Sequence, residues 1–179
     1  GPDATWHIAP FGERFPLKEH IPFIRNVNFG EGEWTPGTDT VLFRLDTLAF
    51  ANLICFESIF PEITRSQARR GADFFVNITN DGWFGRSGAA RQHADMAVIR
   101  AVETRRAIAR CANSGISMFI MPDGAIRKPT PLYQQVVIME DIPVMGGTTF
   151  YSRFGDLFLL LVMLLFAGSL AVAAFKPRP

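Results

Sequence analysis

The sequence predicts an α/β layer architecture closed by one transmembrane helix, and three observations carry that expectation. Apolar runs rich in Ile, Val and Phe at Leu48–Cys55 and Phe74–Thr79 read as buried strands on either side of a helix-compatible stretch that opens on Pro61. An Ala- and Arg-rich stretch with helical periodicity starts at Ala89. Finally, Leu157 to Phe175 holds 19 residues without a charge. A strand, helix, strand order implies a sheet with helices packed on a face.

Taken in order, Thr5 to Pro22 is too broken by Pro and Gly for a helix and reads as a loop. Asn26 to Thr40 is also irregular, with Gly30, Gly32, Pro36 and Gly37 around Trp34. Its apolar members, together with Phe23 and Ile24, suit a flap that meets a membrane or a lipid, or equally a segment packed back on the domain. Val41–Leu45 and Leu48–Cys55 read as two strands joined at Asp46-Thr47. Pro61–Arg70 reads as a helix, with Pro in its first turn, Arg69 and Arg70 in its last and Gly71 as its cap. Phe74–Thr79 is the next strand, and Asn80-Asp-Gly-Trp-Phe-Gly85 a loop of residues that tolerate positive φ.

The periodicity of Ala94, Ala97, Val98, Ala101, Val102 and Ile108 predicts one helix from Ala89 to Asn113. Ile116–Met121 and Ala125–Arg127 form an expected hairpin about Pro122-Asp-Gly124, and Gln135–Asp141 is an expected further strand. At ~1.5 Å per residue, Leu157–Phe175 would span about 28 Å, close to the hydrocarbon thickness of a bilayer. Lys176 and Arg178 follow directly, whereas Asp156 offsets Arg153 on the preceding flank. The positive-inside rule then places the tail in the cytoplasm and the domain across the membrane.

Composition narrows the function classes. The 179 residues suffice for one domain with a core, and much of the 48% hydrophobic content sits near the C-terminus. A net charge of +1 with scattered Lys and Arg leaves no electrostatic footprint for nucleic acid. Cys55 and Cys111 show no staple-like spacing, and neither has a second thiol or paired histidine at metal-ligand spacing. No metal or cofactor is expected. Gly1-Pro2 in place of an initiator Met reads as a protease-tag scar or the cut edge of a longer chain, and no signal peptide is expected within these residues.

The chemistry centres on Phe50-Ala-Asn-Leu-Ile-Cys-Phe-Glu57, a strand ending in a thiol with a carboxylate two residues on. Such a strand end can hold a side chain rigidly at a cleft. Taken alone, Cys55 reads as a small buried hydrophobe. Glu57 and Glu13 are the nearest candidate carboxylates, with a solvated turn residue and a capping or salt-bridging role equally open for them. His7, His20 and His93 read as structural or surface groups, and Cys111 as packing within the Ala-rich helix.

Several motifs in order sharpen this reading. Ile54-Cys-Phe-Glu57 with Phe60-Pro-Glu62, Asn77-Ile-Thr-Asn-Asp-Gly-Trp-Phe-Gly85, Gln92-His93 with Arg100-Ala-Val-Glu103 and Arg105-Arg106, and Ala112-Asn-Ser-Gly-Ile-Ser117 together resemble the C-terminal half of the apolipoprotein N-acyltransferases. These are a membrane-embedded branch of the nitrilase superfamily. His7-Ile-Ala-Pro-Phe-Gly-Glu13 is similar to that family's His-Leu-Val-Pro-Phe-Gly-Glu segment.

The resemblance implies that residues 1–150 are part of a nitrilase-like α-β-β-α sandwich, followed by a transmembrane helix at 154–175 and a cytoplasmic tail at 176–179. It implies a ping-pong reaction at the outer side of a bacterial cytoplasmic membrane. Cys55 would take an acyl chain from a phospholipid as a thioester, and the N-terminal amine of a diacylglyceryl-cysteine lipoprotein would accept it as an amide. Glu13 matches a further active-site glutamate, and Phe56, Glu57 and Trp83 become the candidate substrate-binding residues.

Two departures bear on activity. The family's oxyanion lysine stands two residues before the histidine of that segment, where this chain has Thr5, and Lys18 does not match it. The half-domain with the family's base glutamate has no counterpart in these residues. The 179-residue chain alone is therefore expected to be inactive. A membrane-anchored amidohydrolase of nitrilase type and a catalytically silent membrane module are the alternative readings.

Overall fold

Alternation sets the sheet. In the computed structural model, which describes residues 41–175 and side chains as far as residue 170, the strand Leu48–Ile54 (β2) buries every second residue: Ala49, Ala51 and Leu53. The strand Phe74–Asn80 (β3) does the same with Phe75, Asn77 and Thr79. Side chains of one parity therefore line one covered face. A short strand Leu42–Leu45 (β1) pairs antiparallel with β2, matching Leu42 to Ala51.

Helix Pro61–Arg69 (α1) returns the chain so that β3 lies parallel to β2, with Leu53 opposite Asn77. Proline at the helix start has no N–H to leave unpaired. At its end Gly71 holds φ of +101°, which lets the Gly71 and Ala72 amides turn back onto the carbonyls of Ala68 and Gln67.

The helix expected from Ala89 to Asn113 is instead two elements. Helix Ala89–Thr104 (α2) stops at Arg105, which adopts left-handed backbone with φ of 51°, and Ala107–Asn113 forms a strand (β4) parallel to β3. Alanine favours helix, but that preference is a few tenths of a kcal/mol per residue. A seven-residue parallel ladder against β3, with Ile108 and Arg110 on the covered face, outweighs it. Cys111 is consequently exposed on a strand and does not pack in a helix.

Met118–Ile120 (β5) and Ile126–Arg127 (β6) complete the mixed sheet as the expected hairpin, in the order β1-β2-β3-β4-β5-β6. The strand expected at Gln135–Asp141 does not form: the segment is irregular, and Val136 and Val137 are both exposed where a half-buried strand would alternate. A short helix not expected from the sequence, Phe150–Phe154 (α3), packs on α1 and α2 and is capped by the Thr149 hydroxyl oxygen accepting from Ser152 N.

Both crossover helices lie on the same face, as two successive parallel steps in one direction require. The core between them and the sheet joins Leu53, Phe75, Ile108, Met118 and Ile120 to Ala94, Ala97 and Ala101 of α2. Small residues on α2 let its backbone approach the strands closely. Each large core side chain contributes about 1.5–3 kcal/mol by burial. On the opposite face Phe43, Phe50 and Phe74 stack at centroid separations of 5.3 Å, and Ile78 is 51% exposed.

Helix Leu157–Phe175 (α4) occupies the expected apolar stretch. Its described side chains reach only to residue 170, a length of about 21 Å. Among the described residues no helix is long and apolar enough to cross a membrane.

Candidate functional site

The covered face carries polar residues where it meets the carboxyl ends of the parallel strands. Leu53, Asn77 and Arg110 are neighbours across β2, β3 and β4, so the row changes from apolar to polar across the sheet. Asn77 Nδ2 donates to the Leu53 carbonyl at 2.7 Å, and its Oδ1 accepts from Arg110 Nη1. Carboxyl ends of parallel strands are where open α/β sheets collect ligands.

At the end of β2 the chain enters a single 3₁₀ turn, Cys55–Ile59. Cys55 holds φ of 49°, a left-handed conformation in which a non-glycine residue stores about 1–2 kcal/mol. Three contacts hold the turn. Glu57 Oε2 accepts from Ile54 N at 2.7 Å, Ser58 Oγ donates to the Cys55 carbonyl at 3.0 Å, and Phe60 N donates to the Glu57 carbonyl at 3.2 Å. Arg100 of α2 buttresses the turn from below, donating to the Ile59 carbonyl at 2.8 Å.

The end of β3 supplies the second wall. Asn80 caps a 3₁₀ turn at Asp81–Phe84 by accepting from Gly82 N. Asp81 is fully enclosed: Oδ1 accepts from Thr79 Oγ1 at 3.0 Å and lies 2.9 Å from His93 Nδ1, and Oδ2 accepts from Arg110 Nη2 at 2.9 Å. Gly115 passes so close that a Cβ there would collide with this carboxylate. Burial by itself would raise the Asp81 carboxyl. The His93 hydrogen bond, followed by the Arg110 charge and Thr79, outweighs burial and holds it below the usual carboxylate range. Arg110 shows the reverse balance: burial pushes it down, while the charge and the hydrogen bond of Asp81 favour the cation.

His93, on the small-residue face of α2, joins the two walls. Its ring is 3% exposed, with Nε2 at 3.3 Å from both Ser58 Oγ and the Cys55 carbonyl oxygen. Phe56 stacks on it at 5.2 Å and Phe84 meets it edge-on at 5.7 Å. Glu103, one turn beyond Arg100 on α2, is paired with it at 2.8 Å; burial raises its carboxyl, and Arg100 only partly offsets this.

Of the residues expected from sequence, Cys55, Phe56 and Glu57 share one turn, and Trp83 stands on the neighbouring turn, 87% exposed. Glu57 is 9% exposed and directs one carboxylate oxygen at the turn's own backbone. Glu13, and with it Thr5, His7, Lys18 and His20, lies outside the described residues.

Sequence reasoning missed Asp81, Ser58, Arg110 and the centrality of His93. Two signals were present: Asn77 and Thr79 recur at period two on the buried parity of β3, which Asp81 continues into the following turn, and His93 shares its helix face with Ala94, Ala97 and Ala101. Arg110 was obscured because its segment reads as helix. Among the described residues no group of three His, Cys, Asp or Glu could hold a metal ion. A surface hollow of about 400 Å³, lined by Arg105, Met121, Pro122, Asp123, Pro143 and Met145, shares no residue with this cluster.

The carbon-nitrogen hydrolase family profile matches residues 13–148. The apolipoprotein N-acyltransferase of Geobacter metallireducens is 42% identical over 96% of this chain and 32% of its own length. That of Chlorobaculum tepidum is 39% identical over 96% of this chain and 34% of its own. This chain therefore spans about a third of the length of the curated relatives it matches. A solved Saccharomyces cerevisiae structure, Nit3 of the nitrilase superfamily, superposes with a TM-score of 0.49 at 21% identity, over 56% of this chain and 40% of that one, too distant to bear on the site. With residues 13–148 matched, more than half of its length, the chain belongs to the carbon-nitrogen hydrolase family.

Proposed function

We propose that this chain is the nucleophile-bearing portion of an apolipoprotein N-acyltransferase. Cys55 Sγ attacks the ester carbonyl carbon of a phospholipid, the ester C–O bond breaks, and the lysophospholipid leaves as an alcohol after taking up a proton. The α-amino nitrogen of a diacylglyceryl-cysteine lipoprotein then attacks the thioester, the C–S bond breaks, and the amide forms with the thiol restored. A thiolate suits both steps, being a strong nucleophile and a good leaving group.

The observation that carries the reading is the left-handed turn of Cys55 at the carboxyl end of a parallel strand, with the buried Arg110 cation behind it. The names of the relatives point to the same chemistry. In this reading Glu13 is a further active-site carboxylate. Phe56 and Trp83 present aromatic surface to the acyl chain, and Glu57 shapes the nucleophile's turn at the substrate side. The reaction needs no cofactor.

Membrane placement belongs to the same proposal. Helix α4 exposes apolar side chains on all sides, Phe158 and Leu165 among them, and such a helix calls for lipid around it. It would anchor the domain at the periplasmic or extracellular side of the bacterial cytoplasmic membrane, with 176–179 on the cytoplasmic side. The uncovered sheet face bearing Phe43, Phe50 and Phe74 is where the second sheet of an α-β-β-α sandwich would pack.

The test joins this chain to the N-terminal two thirds of the Geobacter relative and incubates the membrane-embedded product with phospholipid. Intact-protein mass spectrometry should show one hydroxylamine-labile acyl group, absent in Cys55→Ala, while the 179-residue chain alone shows none. A chimera that stays unacylated in lipid yet hydrolyses small amides would establish the amidohydrolase instead. One that does neither would leave a silent module.

A further inference from the structure

The strained turn at Cys55 needs a local cause, and the carbonyl of that residue shows one. Two groups address it: Ser58 Oγ at 3.0 Å and His93 Nε2 at 3.3 Å, and these two are themselves 3.3 Å apart. The carbonyl, the hydroxyl and the imidazole form a closed triangle.

Proton accounting shows why the imidazole matters. Asp81 is ionised and only accepts, so His93 Nδ1 carries the proton directed at it, and this orients the ring. Ser58 has a single hydroxyl proton. When the ring is neutral, Nε2 competes with the Cys55 carbonyl for that proton. When the ring is the imidazolium, Nε2 donates and the carbonyl has two donors available. His93 therefore governs how firmly the peptide following the thiol is held. Arg110 Nη2, 3.3 Å from His93 Nδ1, and the Phe56 and Phe84 rings leave the imidazole little freedom to turn.

We propose that His93 is a positioning residue for Cys55, locking its left-handed turn through the Cys55 carbonyl and Ser58 while Asp81 and Arg110 lock His93 in place. The inference rests on Cys55 being the nucleophile and adds a residue that need not touch substrate.

The test reads thiol presentation and needs no acyl transfer. The full chain in detergent is alkylated with iodoacetamide, and peptide mass spectrometry follows Cys55 and the exposed Cys111 separately, so Cys111 is an internal reference. In the parent protein Cys55 reacts faster than Cys111. His93→Leu fills the space without a donor and slows Cys55 about tenfold, the equivalent of about one hydrogen bond, with Cys111 unchanged. His93→Gln can place an amide N–H near the position of Nε2 and restores the rate to within about threefold of the parent.

A folded His93→Leu protein whose Cys55 keeps the parental rate overturns the inference, as does a glutamine variant as slow as the leucine one. If His93→Leu does not fold, Ser58→Ala decides, because it removes the second donor and leaves the ring in place: a slowed Cys55 supports the inference and an unchanged one overturns it. A parent protein in which Cys55 reacts no faster than Cys111 removes the nucleophile reading, and the inference with it.

Discussion

His93 Nδ1 and Asp81 Oδ1 lie 2.9 Å apart, with neither side chain more than 3% exposed, so a helix and a strand terminus are joined by a buried, charge-assisted bond directly behind the Cys55 turn. The other carboxylate oxygen holds Arg110. One carboxylate thus ties together α2, β4 and the end of β3.

Asp81→Asn keeps the shape and removes the charge, leaving the Arg110 cation buried without its counter-ion. Breaking such a pair costs about 3–5 kcal/mol, to be read from urea unfolding monitored by circular dichroism. The pH dependence has a definite sign. The folded carboxyl titrates below its unfolded value, so its stabilisation is fully present above about pH 4 and is lost as pH falls through the depressed folded value. The stability gap between parent and Asp81→Asn should therefore shrink on acidification. A gap that is constant from neutral pH into the acid limb would remove Asp81 as its source.

Gly115→Ala tests the close approach of backbone to the same carboxylate. The added Cβ would collide with the Asp81 side chain, which is held by Thr79, His93 and Arg110 and has no alternative place to go. Overpacking of this kind costs about 1–3 kcal/mol. In Asp81→Gly, which also removes the Cβ that would stand 2.7 Å from the added one, the substitution should cost much less, and a double-mutant cycle measures the coupling. Additive effects would show that Gly115 is required for another reason.

Arg105→Gly tests the helix-to-strand break. Arg105 is exposed and left-handed, a conformation glycine adopts without a Cβ penalty, so the variant should be more stable by about 0.5–1 kcal/mol in thermal or urea unfolding. A continuous helix through residue 113 would instead be weakened by glycine by about 1 kcal/mol. The direction of the change thus discriminates between the observed break and the helix that composition favours.

Much of the fold was legible because its signals are local. Strand alternation at Leu48–Ile54 and Phe74–Asn80, Pro61 at a helix start and Gly71 at its end are consequences of pleat, missing N–H and backbone freedom, which each residue carries with it. Cys55 at the strand end was legible in the same way, and the apolar stretch from Leu157 did form one helix. Residues 107–113 were not legible, since alanine and arginine favour helix locally and only the exposed ladder of β3 turns them into a strand.

The site divides along the same line. Sequence alone determined the thiol, the aromatic turn residues and the order of motifs that marks the family. Tertiary structure decided that Asp81, His93 and Arg110, separated by 12 to 29 positions, meet around one carboxylate behind the Cys55 turn. The physical reason is that burial, not spacing, makes their charges and hydrogen bonds strong, and burial exists only after α2 has docked on the sheet.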